Sequence, residues 1–260
     1  MSSPENSRRA WLKGAFAAAG ASVLSGCNKL SETPAVRKVL ASAEVLTRKS
    51  QRVLLQPQPL APEYAKADIS KIFKANGTTD PQDDAYRALA DKGFEDWRLK
   101  VDGLVAHPLA LSLDQLKAMP SRTQITRHDC VEGWSCIGEW TGVPLAHVLD
   151  LAGLKPEAQY LVFHCMDSMD GSDDDAQRYY ESIDLTDAHH PQTLLAYAMN
   201  GAELTVPHGA PLRLRVERQL GYKHAKYIAR IEAVARLDHL YGGKGGYWED
   251  STDYAWYAGI

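Results

Sequence analysis

Cys130 is the residue whose surroundings most suggest chemistry in this sequence of 260 residues. It lies in the segment TRHDCVEGWSCIGEW, with Arg127 and His128 before it and Glu132 after it. A thiol in such a place can fill a core, form half of a disulfide, act as a nucleophile or bind a metal. Each possibility requires different partners elsewhere in the chain.

A nucleophilic cysteine would need a histidine within hydrogen-bonding distance. The segment TQITRHDC alternates like a strand, which places His128 and Cys130 on one face. Residues two apart on a strand are separated by about 7 Å, too far for a direct hydrogen bond. The local pair therefore predicts no catalytic dyad, and a remote histidine among the nine in the chain stays open as the alternative partner.

Zinc and disulfide sites remain as alternatives for the cysteines. Structural zinc sites need two closely spaced ligand pairs, and neither Cys130 with Cys136 nor the adjacent His164 and Cys165 has that spacing. Disulfides joining Cys130 to Cys136, or Cys136 to Cys165, are compatible with the spacing and stay open.

The acidic segment DSMDGSDDD resembles a calcium loop only superficially. With Gly171 at the sixth position, the first and twelfth positions would be Met166 and Gln177, which are not carboxylates. We interpret the segment as a solvated loop near a partner or substrate.

A second candidate site is the cationic segment HGAPLRLRVERQLGYKHAK. It brings a group of basic side chains together within twenty residues, in a chain of net charge −4: His208, Arg213, Arg215, Lys223 and Lys226. Arginine binds phosphate with a planar fork and lysine with a point charge, so the segment is typical of an anion-binding cradle. The alternative is a solvated edge strand with ordinary surface charges. The overall negative charge gives no reason to expect nucleic acid as a partner.

Several short elements must position these residues. SLDQLKAMP predicts a short helix capped by Ser112, and TGVPLAHVLDLAGL predicts a longer helix that ends at Gly153. WRLKVDGLVAHPLAL, YLVFHC, APLRLRV and the Asn200–Gly201 hairpin predict strands, whereas KYIARIEAV fits a strand or a helix. Short strands and isolated helices without regular alternation indicate an α+β fold with one domain.

The N-terminus has the layout of an export signal. Paired arginines, Arg8 and Arg9, precede a short apolar stretch, and the sequence LSGC ends at Cys27. We interpret residues 1–26 as a twin-arginine lipoprotein signal, with a lipid anchor on Cys27 that holds the protein at a membrane facing the periplasm. This route exports folded proteins, which usually means that a cofactor is acquired before export.

The remaining chain divides into a tether and arm, residues 27–68, and a domain, residues 69–260. If Cys27 carries lipid, three cysteines remain, and an odd number leaves at least one thiol unpaired in an oxidising compartment. An unpaired thiol there must be buried or coordinated.

The motifs CVEGWS, AYAMNG, HGAPLRL, GYKHAKYIARIE and YWEDSTDYAWYAGI, in this order, resemble the sulfite oxidase superfamily of molybdopterin enzymes. The resemblance is strongest to periplasmic methionine-sulfoxide reductase catalytic subunits and extends from Ile72 to Ile260. It implies a single molybdopterin-binding α+β domain and a cofactor of molybdenum and molybdopterin. It also implies that Cys130 is the only protein ligand to molybdenum, which suits a soft thiolate.

The resemblance assigns further residues to the cofactor and the substrate. The pterin phosphate would contact His208, Arg213 and Lys226, while Asn76 and Cys165 would contact the cofactor elsewhere. Glu132 would be the acidic catalytic residue beside the metal, with a pKa raised by burial so that it can move protons. Tyr254 would line the substrate pocket with Trp248 as its packing neighbour.

The resemblance also bears on the reaction. Sulfite oxidases have a Gly-Asn-Arg type sequence after the cysteine, where this chain has Val131, Glu132 and Gly133. Because Glu132 would repel a sulfite dianion, we expect two-electron oxygen-atom transfer from a neutral sulfoxide or N-oxide, on a small molecule or a protein. Electrons would come from a separate partner such as a membrane cytochrome. The alternatives are a sulfite-type dehydrogenase with the same cofactor, a non-catalytic envelope lipoprotein and a cysteine hydrolase.

Overall fold

The computed structural model describes residues 59–171, 177–252 and 254–260, together with seven single positions between residues 33 and 50. The predicted export signal and Cys27 lie outside the described residues. The chain divides into two units, residues 1–56 and 57–260. The second unit contains every element described below.

The described residues of the second unit form two five-stranded sheets. The first has the order β2-β1-β10-β5-β6, and β1 and β10 are its parallel pair. Its strands are β1 (Arg98–Gly103), β2 (Leu109–Ser112), β5 (Tyr160–Ser168), β6 (Arg178–Asp184) and β10 (Ile228–Val234). The segment KYIARIEAV, whose periodicity fitted either element, is therefore a strand in this sheet.

The second sheet is antiparallel and carries the two candidate segments. Its path is β3-β4-β7-β8, with β9 paired to β7. The strands are β3 (Arg122–Asp129), β4 (Ser135–Pro144), β7 (Leu194–Met199), β8 (Ala202–Glu203) and β9 (Arg213–Arg215). Cys130 directly follows β3, and the cationic segment contains β9.

Among the described residues of the second unit, five α-helices connect and cover the strands. They are α1 (Asp84–Ala90), α2 (Leu113–Lys117), α3 (Leu145–Ala152), α4 (Leu185–Ala188) and α5 (Tyr247–Thr252). The Ser112 cap of α2 is confirmed, since its hydroxyl accepts a hydrogen bond from the Gln115 N–H. Helix α3 ends at Gly153, whose φ of +66° is the left-handed conformation that glycine adopts without strain.

One apolar cluster joins the two sheets. It contains Leu99 and Ile231 of the first sheet, Leu195 and Leu214 of the second, and the buried stripe of α3. Contiguous burial of this kind makes the unit one α+β domain, as the sequence predicted. Residues 59–68, assigned from sequence to the arm, also contact this domain. The Ala61 N–H donates a hydrogen bond to the Gln192 side chain over 2.7 Å.

Candidate active site

Cys130 begins a tight turn between β3 and β4. Its N–H donates to the Trp134 carbonyl over 2.9 Å, and the Gly133 N–H donates to the Cys130 carbonyl over 3.0 Å. Gly133 has φ +87°, which lets the chain reverse without steric strain. The Cys130 side chain is thereby held at the end of the sheet, with only 8% of the residue exposed.

The thiol of Cys130 has no disulfide partner among the described residues. Cys130, Cys136 and Cys165 are all free, so both disulfides that the spacing allowed are wrong. Burial raises the pKa of the Cys130 thiol. Within the described part of the chain, no three histidine, cysteine or acidic side chains converge as a metal site.

A cavity of about 180 Å³ opens beside Cys130. Five of the predicted site residues line it: Asn76, Cys130, Glu132, Lys226 and Tyr254. Further lining comes from Thr78, Asp167, Met169, Tyr179, Tyr222, His224 and Trp248. Segments distant in sequence thus meet around one thiol.

The other three predicted residues, Cys165, His208 and Arg213, are not among the residues that line this cavity. The His208 imidazole contacts the Phe73 carbonyl over 3.2 Å, and the His208 carbonyl accepts a hydrogen bond from Arg213 Nη1 over 2.9 Å. Cys165 lines a second cavity, and Tyr179 forms part of the wall of both cavities.

Arg213 and Lys226 are buried cations that lack a hydrogen-bonded carboxylate within the described residues. Arg213 is 1% exposed, lies over the Trp140 ring, and has no partner for Nε or Nη2 there. Lys226 Nζ donates only to backbone carbonyls, those of Asn76 (2.7 Å), Pro207 (3.2 Å) and Thr78. Burial, reinforced by Arg215, lowers the pKa of Arg213 to about 9, and burial, reinforced by Arg213, lowers that of Lys226 to about 7. An anionic group fits this position, because it would satisfy orphaned donors and neutralise costly buried charge.

Two further cations of the predicted cradle, Arg215 and Lys223, are paired with protein carboxylates, which corrects the wider cradle predicted from sequence. Arg215 donates Nε and Nη2 to the Glu217 carboxylate over 2.9 and 2.6 Å, and Nη1 contacts His128 Nδ1 over 2.9 Å. Lys223 pairs with Glu181 and, over 2.8 Å, with Glu249. The surface-charge alternative is equally wrong, since the residues of β9 are all buried.

We expect Lys223→Met to destabilise the domain by about 3–5 kcal/mol, because it leaves two buried carboxylates without their cation. Burial already raises the pKa of Glu181 well above its usual value, and losing the ammonium raises it further. A raised carboxyl pKa stabilises the fold at low pH, and that stability is lost as pH rises. Urea denaturation should therefore show a larger deficit at pH 8 than at pH 5. A deficit independent of pH would contradict this interpretation.

Glu132 lies at the exposed rim of the cavity. Its carboxylate accepts a hydrogen bond from Trp134 Nε1 over 2.8 Å and lies 3.5 Å from Lys74 Nζ. The hydrogen bond from Trp134 is the main cause that lowers the pKa of Glu132. The expected buried carboxyl with a raised pKa is therefore wrong, and Glu132 presents a fixed negative charge.

Aromatic rings form one wall of the cavity. The Tyr254 ring lies 5.0 Å from Tyr222 and 6.0 Å from Trp248, measured between ring centroids. Trp248 belongs to α5, so the C-terminal segment closes over the site. The predicted contact between Tyr254 and Trp248 is present, and the surface suits an apolar group.

The sequence interpretation missed two buried residues of the cavity. Asp167, assigned to a solvated loop, lies within β5 and is only 3% exposed. The alternation of Leu161, Phe163 and Cys165 continues to Asp167 and would have revealed it. His224 Nε2–H donates to the Gln219 carbonyl over 3.0 Å, and burial lowers its pKa well below the usual value.

The comparison with known proteins identifies the family. The profile described as "Oxidoreductase molybdopterin binding domain" matches residues 87–240, more than half of the chain. The chain belongs to this family. It is an oxidoreductase of the sulfite oxidase type, and its cofactor is molybdenum with molybdopterin.

Individual relatives agree with the family assignment. The chain is 37% identical over 252 residues to a putative protein-methionine-sulfoxide reductase subunit YedZ1 from Azospira oryzae, covering 97% of this chain and 87% of that one. It is 37% identical over 160 residues to the protein-methionine-sulfoxide reductase catalytic subunit MsrP of Xanthomonas axonopodis pv. citri, covering 59% of this chain and 50% of that one. The match therefore spans half the length of that relative.

One solved structure resembles part of the domain. The sulfane dehydrogenase SoxCD from Paracoccus pantotrophus matches with a TM-score of 0.49 and 26% identity, over 55% of this chain and 39% of that one.

None of the helices in the described residues is long and apolar enough to cross a membrane.

Proposed function

We propose that this molybdopterin oxidoreductase reduces a sulfoxide, or a related neutral oxide, by removing its oxygen atom with two electrons. The observation that carries the proposal is the arrangement around Cys130. A free buried thiol opens into a cavity with a carboxylate at its rim, and Lys226 also lines this cavity. Among the described residues, neither Lys226 nor the buried Arg213 has a hydrogen-bonded carboxylate. The names of the relatives MsrP and YedZ1 support the sulfoxide class.

In this proposal Cys130 is the protein ligand to molybdenum, and Arg213, Lys226 and His208 hold the anionic end of the cofactor. Asn76 and Lys226 both line the cavity beside Cys130, and Cys165 and Tyr179 both line the neighbouring cavity. The cofactor, when bound, would supply the two-electron redox chemistry of oxygen-atom transfer. The protein supplies the thiolate, the charge complementarity and the shape of the cavity.

The substrate preference follows from the rim of the cavity. Glu132 is ionised, since its carboxylate is stabilised by Trp134 and Lys74. A sulfite dianion approaching Cys130 would meet this negative charge, whereas a sulfoxide carries no net charge. The Tyr254 and Trp248 rings offer apolar contact to the organic groups of a sulfoxide, free or within a protein.

The cellular setting is proposed from sequence signals outside the described residues. The twin-arginine motif supports export of the folded protein to the periplasm, and Cys27 supports a lipid anchor at the membrane. Several relatives are named as catalytic subunits, which agrees with a separate electron-transfer partner, a membrane cytochrome in our proposal.

The test compares two substrates with one enzyme preparation. Molybdenum-loaded protein is assayed for reduction of methionine sulfoxide with a reduced viologen and for oxidation of sulfite with an artificial acceptor. We expect turnover of the sulfoxide and little turnover of sulfite, and we expect Glu132→Gln to raise the relative activity with sulfite. Robust sulfite oxidation without sulfoxide reduction would favour the sulfite-type dehydrogenase instead.

A further inference from the structure

Removal of an oxide oxygen requires protons as well as electrons. The balanced step converts a sulfoxide, two electrons and two protons into a thioether and one water, so the sulfur–oxygen bond breaks and the oxygen takes both protons. The electrons come from the separate donor named above. Because this inference concerns the same cavity, it rests on the proposed function.

Glu132, the acid expected from sequence, is a poor proton source. It is half exposed and carries a lowered pKa, and its carboxylate already accepts a hydrogen bond from Trp134. A group that remains ionised has no proton to donate to the departing oxygen.

Most other titratable groups of the cavity have their protons engaged. His224 donates Nε2–H to the Gln219 carbonyl, and Lys226 donates to three carbonyls. The Tyr179 hydroxyl donates to the Tyr222 carbonyl, and the Tyr222 hydroxyl donates to the Ala255 carbonyl over 2.6 Å. Asp167 and Tyr254 remain to be considered.

Asp167 has the surroundings of an acid that carries a proton. It lines the same cavity as Cys130, and its Oδ1 has no hydrogen-bond partner among the described residues. A buried carboxylate with an unpaired oxygen is costly, so protonation is favoured. Lys226 Nζ donates to carbonyls rather than to this carboxyl group, and Arg178 pairs with Asp83 over 2.6 Å.

The charges around Asp167 come from several elements. The groups that interact with it electrostatically are Lys226, Arg178, Cys165, Tyr86, Tyr179 and Tyr227, and it contacts the Thr78 hydroxyl. Burial outweighs the nearby cations and raises the pKa of Asp167 to about 6. A carboxyl group with this pKa exchanges protons close to neutral pH.

We infer that Asp167 is the residue that donates protons to the oxide oxygen in the cavity and is reprotonated from solvent between the two transfers. Glu132 at the rim then acts through its fixed charge on substrate choice. The two acidic residues of one cavity thus have different tasks, set by burial and by hydrogen bonding.

The first measurement is the pH dependence of sulfoxide reduction. The full-length protein is compared with Asp167→Asn, Asp167→Glu, Glu132→Gln and Tyr254→Phe, each corrected for bound molybdenum. The wild-type rate should fall as pH rises through about 6, since the acid must be protonated to act. Asp167→Asn should lower kcat by about 100-fold or more, with little change in KM, and should remove this pH limb. Asp167→Glu should restore part of the rate, with the fall in rate shifted to another pH. Glu132→Gln should keep the pH dependence of the wild-type protein.

The second measurement does not depend on turnover. Infrared titration of the full-length protein should show a protonated carboxyl band that disappears as pH rises through about 6 and is missing in Asp167→Asn. If Asp167→Asn keeps the band and the limb, or if Tyr254→Phe removes the limb instead, the inference is wrong. If Asp167→Asn instead loses molybdenum while Asp167→Glu shows no shifted limb, Asp167 holds the cofactor and the inference is also wrong. Absence of sulfoxide turnover in the wild type, with the carboxyl band present, would refute the proposed function rather than the titration of Asp167.

Discussion

Replacing Cys130 with alanine is expected to lower sulfoxide reduction by more than about 100-fold. Residues that merely support a metal ligand contribute up to about 100-fold, and the loss of the only protein ligand should exceed that range. The substitution removes a small buried side chain, and the hydrogen bonds of the Cys130 and Gly133 N–H groups to backbone carbonyls that close the turn remain, so the fold should persist. The measurements are steady-state rate, molybdenum content and thermal unfolding on the same samples.

Cys136 offers a matched control for this substitution. It is also a free cysteine, it lies in β4, and its thiol contacts the Ile72 carbonyl over 3.7 Å, away from the cavity lining. Cys136→Ala should keep rate and molybdenum content near the wild-type values. Equal losses in the two variants would show that the effect reflects thiol removal in general and would contradict the role of Cys130.

Replacing each arginine of β9 with methionine should affect two different properties: cofactor binding for Arg213 and stability of the fold for Arg215. Arg213 has two unpartnered donors among the described residues, whereas Arg215 is bound by Glu217 and His128. We expect Arg213→Met to weaken cofactor binding by about 100-fold, since two charge-assisted hydrogen bonds contribute roughly 3 kcal/mol together. Its effect on the stability of cofactor-free protein should stay below about 2 kcal/mol, because no buried carboxylate loses its partner.

Arg215→Met should instead destabilise the fold by about 3–5 kcal/mol, because Glu217 would keep an uncompensated charge in the core. Urea denaturation of cofactor-free protein and pterin analysis of loaded protein separate the two effects. If Arg213→Met unfolds the protein while retaining pterin, or Arg215→Met loses pterin without loss of stability, the division between the two arginines is wrong.

Periodicity and capping residues predicted most elements of the domain. The stripe of α3 follows from its apolar spacing, and the hairpin follows from the Asn200–Gly201 turn pair. The strand β3 follows from alternation alone, because its buried face is polar: Gln124, Thr126 and His128. The segment KYIARIEAV was ambiguous from sequence, because whether it forms a strand or a helix depends on pairing with the neighbouring strands β1 and β5. Pairing across more than sixty residues leaves no local signal.

The candidate site was predicted less completely than the fold. Residue types and their spacing in the sequence indicated Cys130 and the cationic segment as candidate site residues. They did not show that Arg215 and Lys223 are neutralised by carboxylates. The partners Glu181 and Glu249 come from distant elements and meet Lys223 only in the folded domain. Burial in the folded domain raises the pKa of Asp167, whereas the exposed Glu132 has a lowered pKa, and the sequence shows neither environment.

The most direct test of the account is X-ray absorption at the molybdenum edge of the full-length protein and of Cys130→Ala. The account predicts one more sulfur neighbour of molybdenum in the wild-type protein than in the variant, with Cys136→Ala identical to the wild type. An unchanged sulfur count after loss of Cys130 would contradict the assignment of this thiol as the metal ligand.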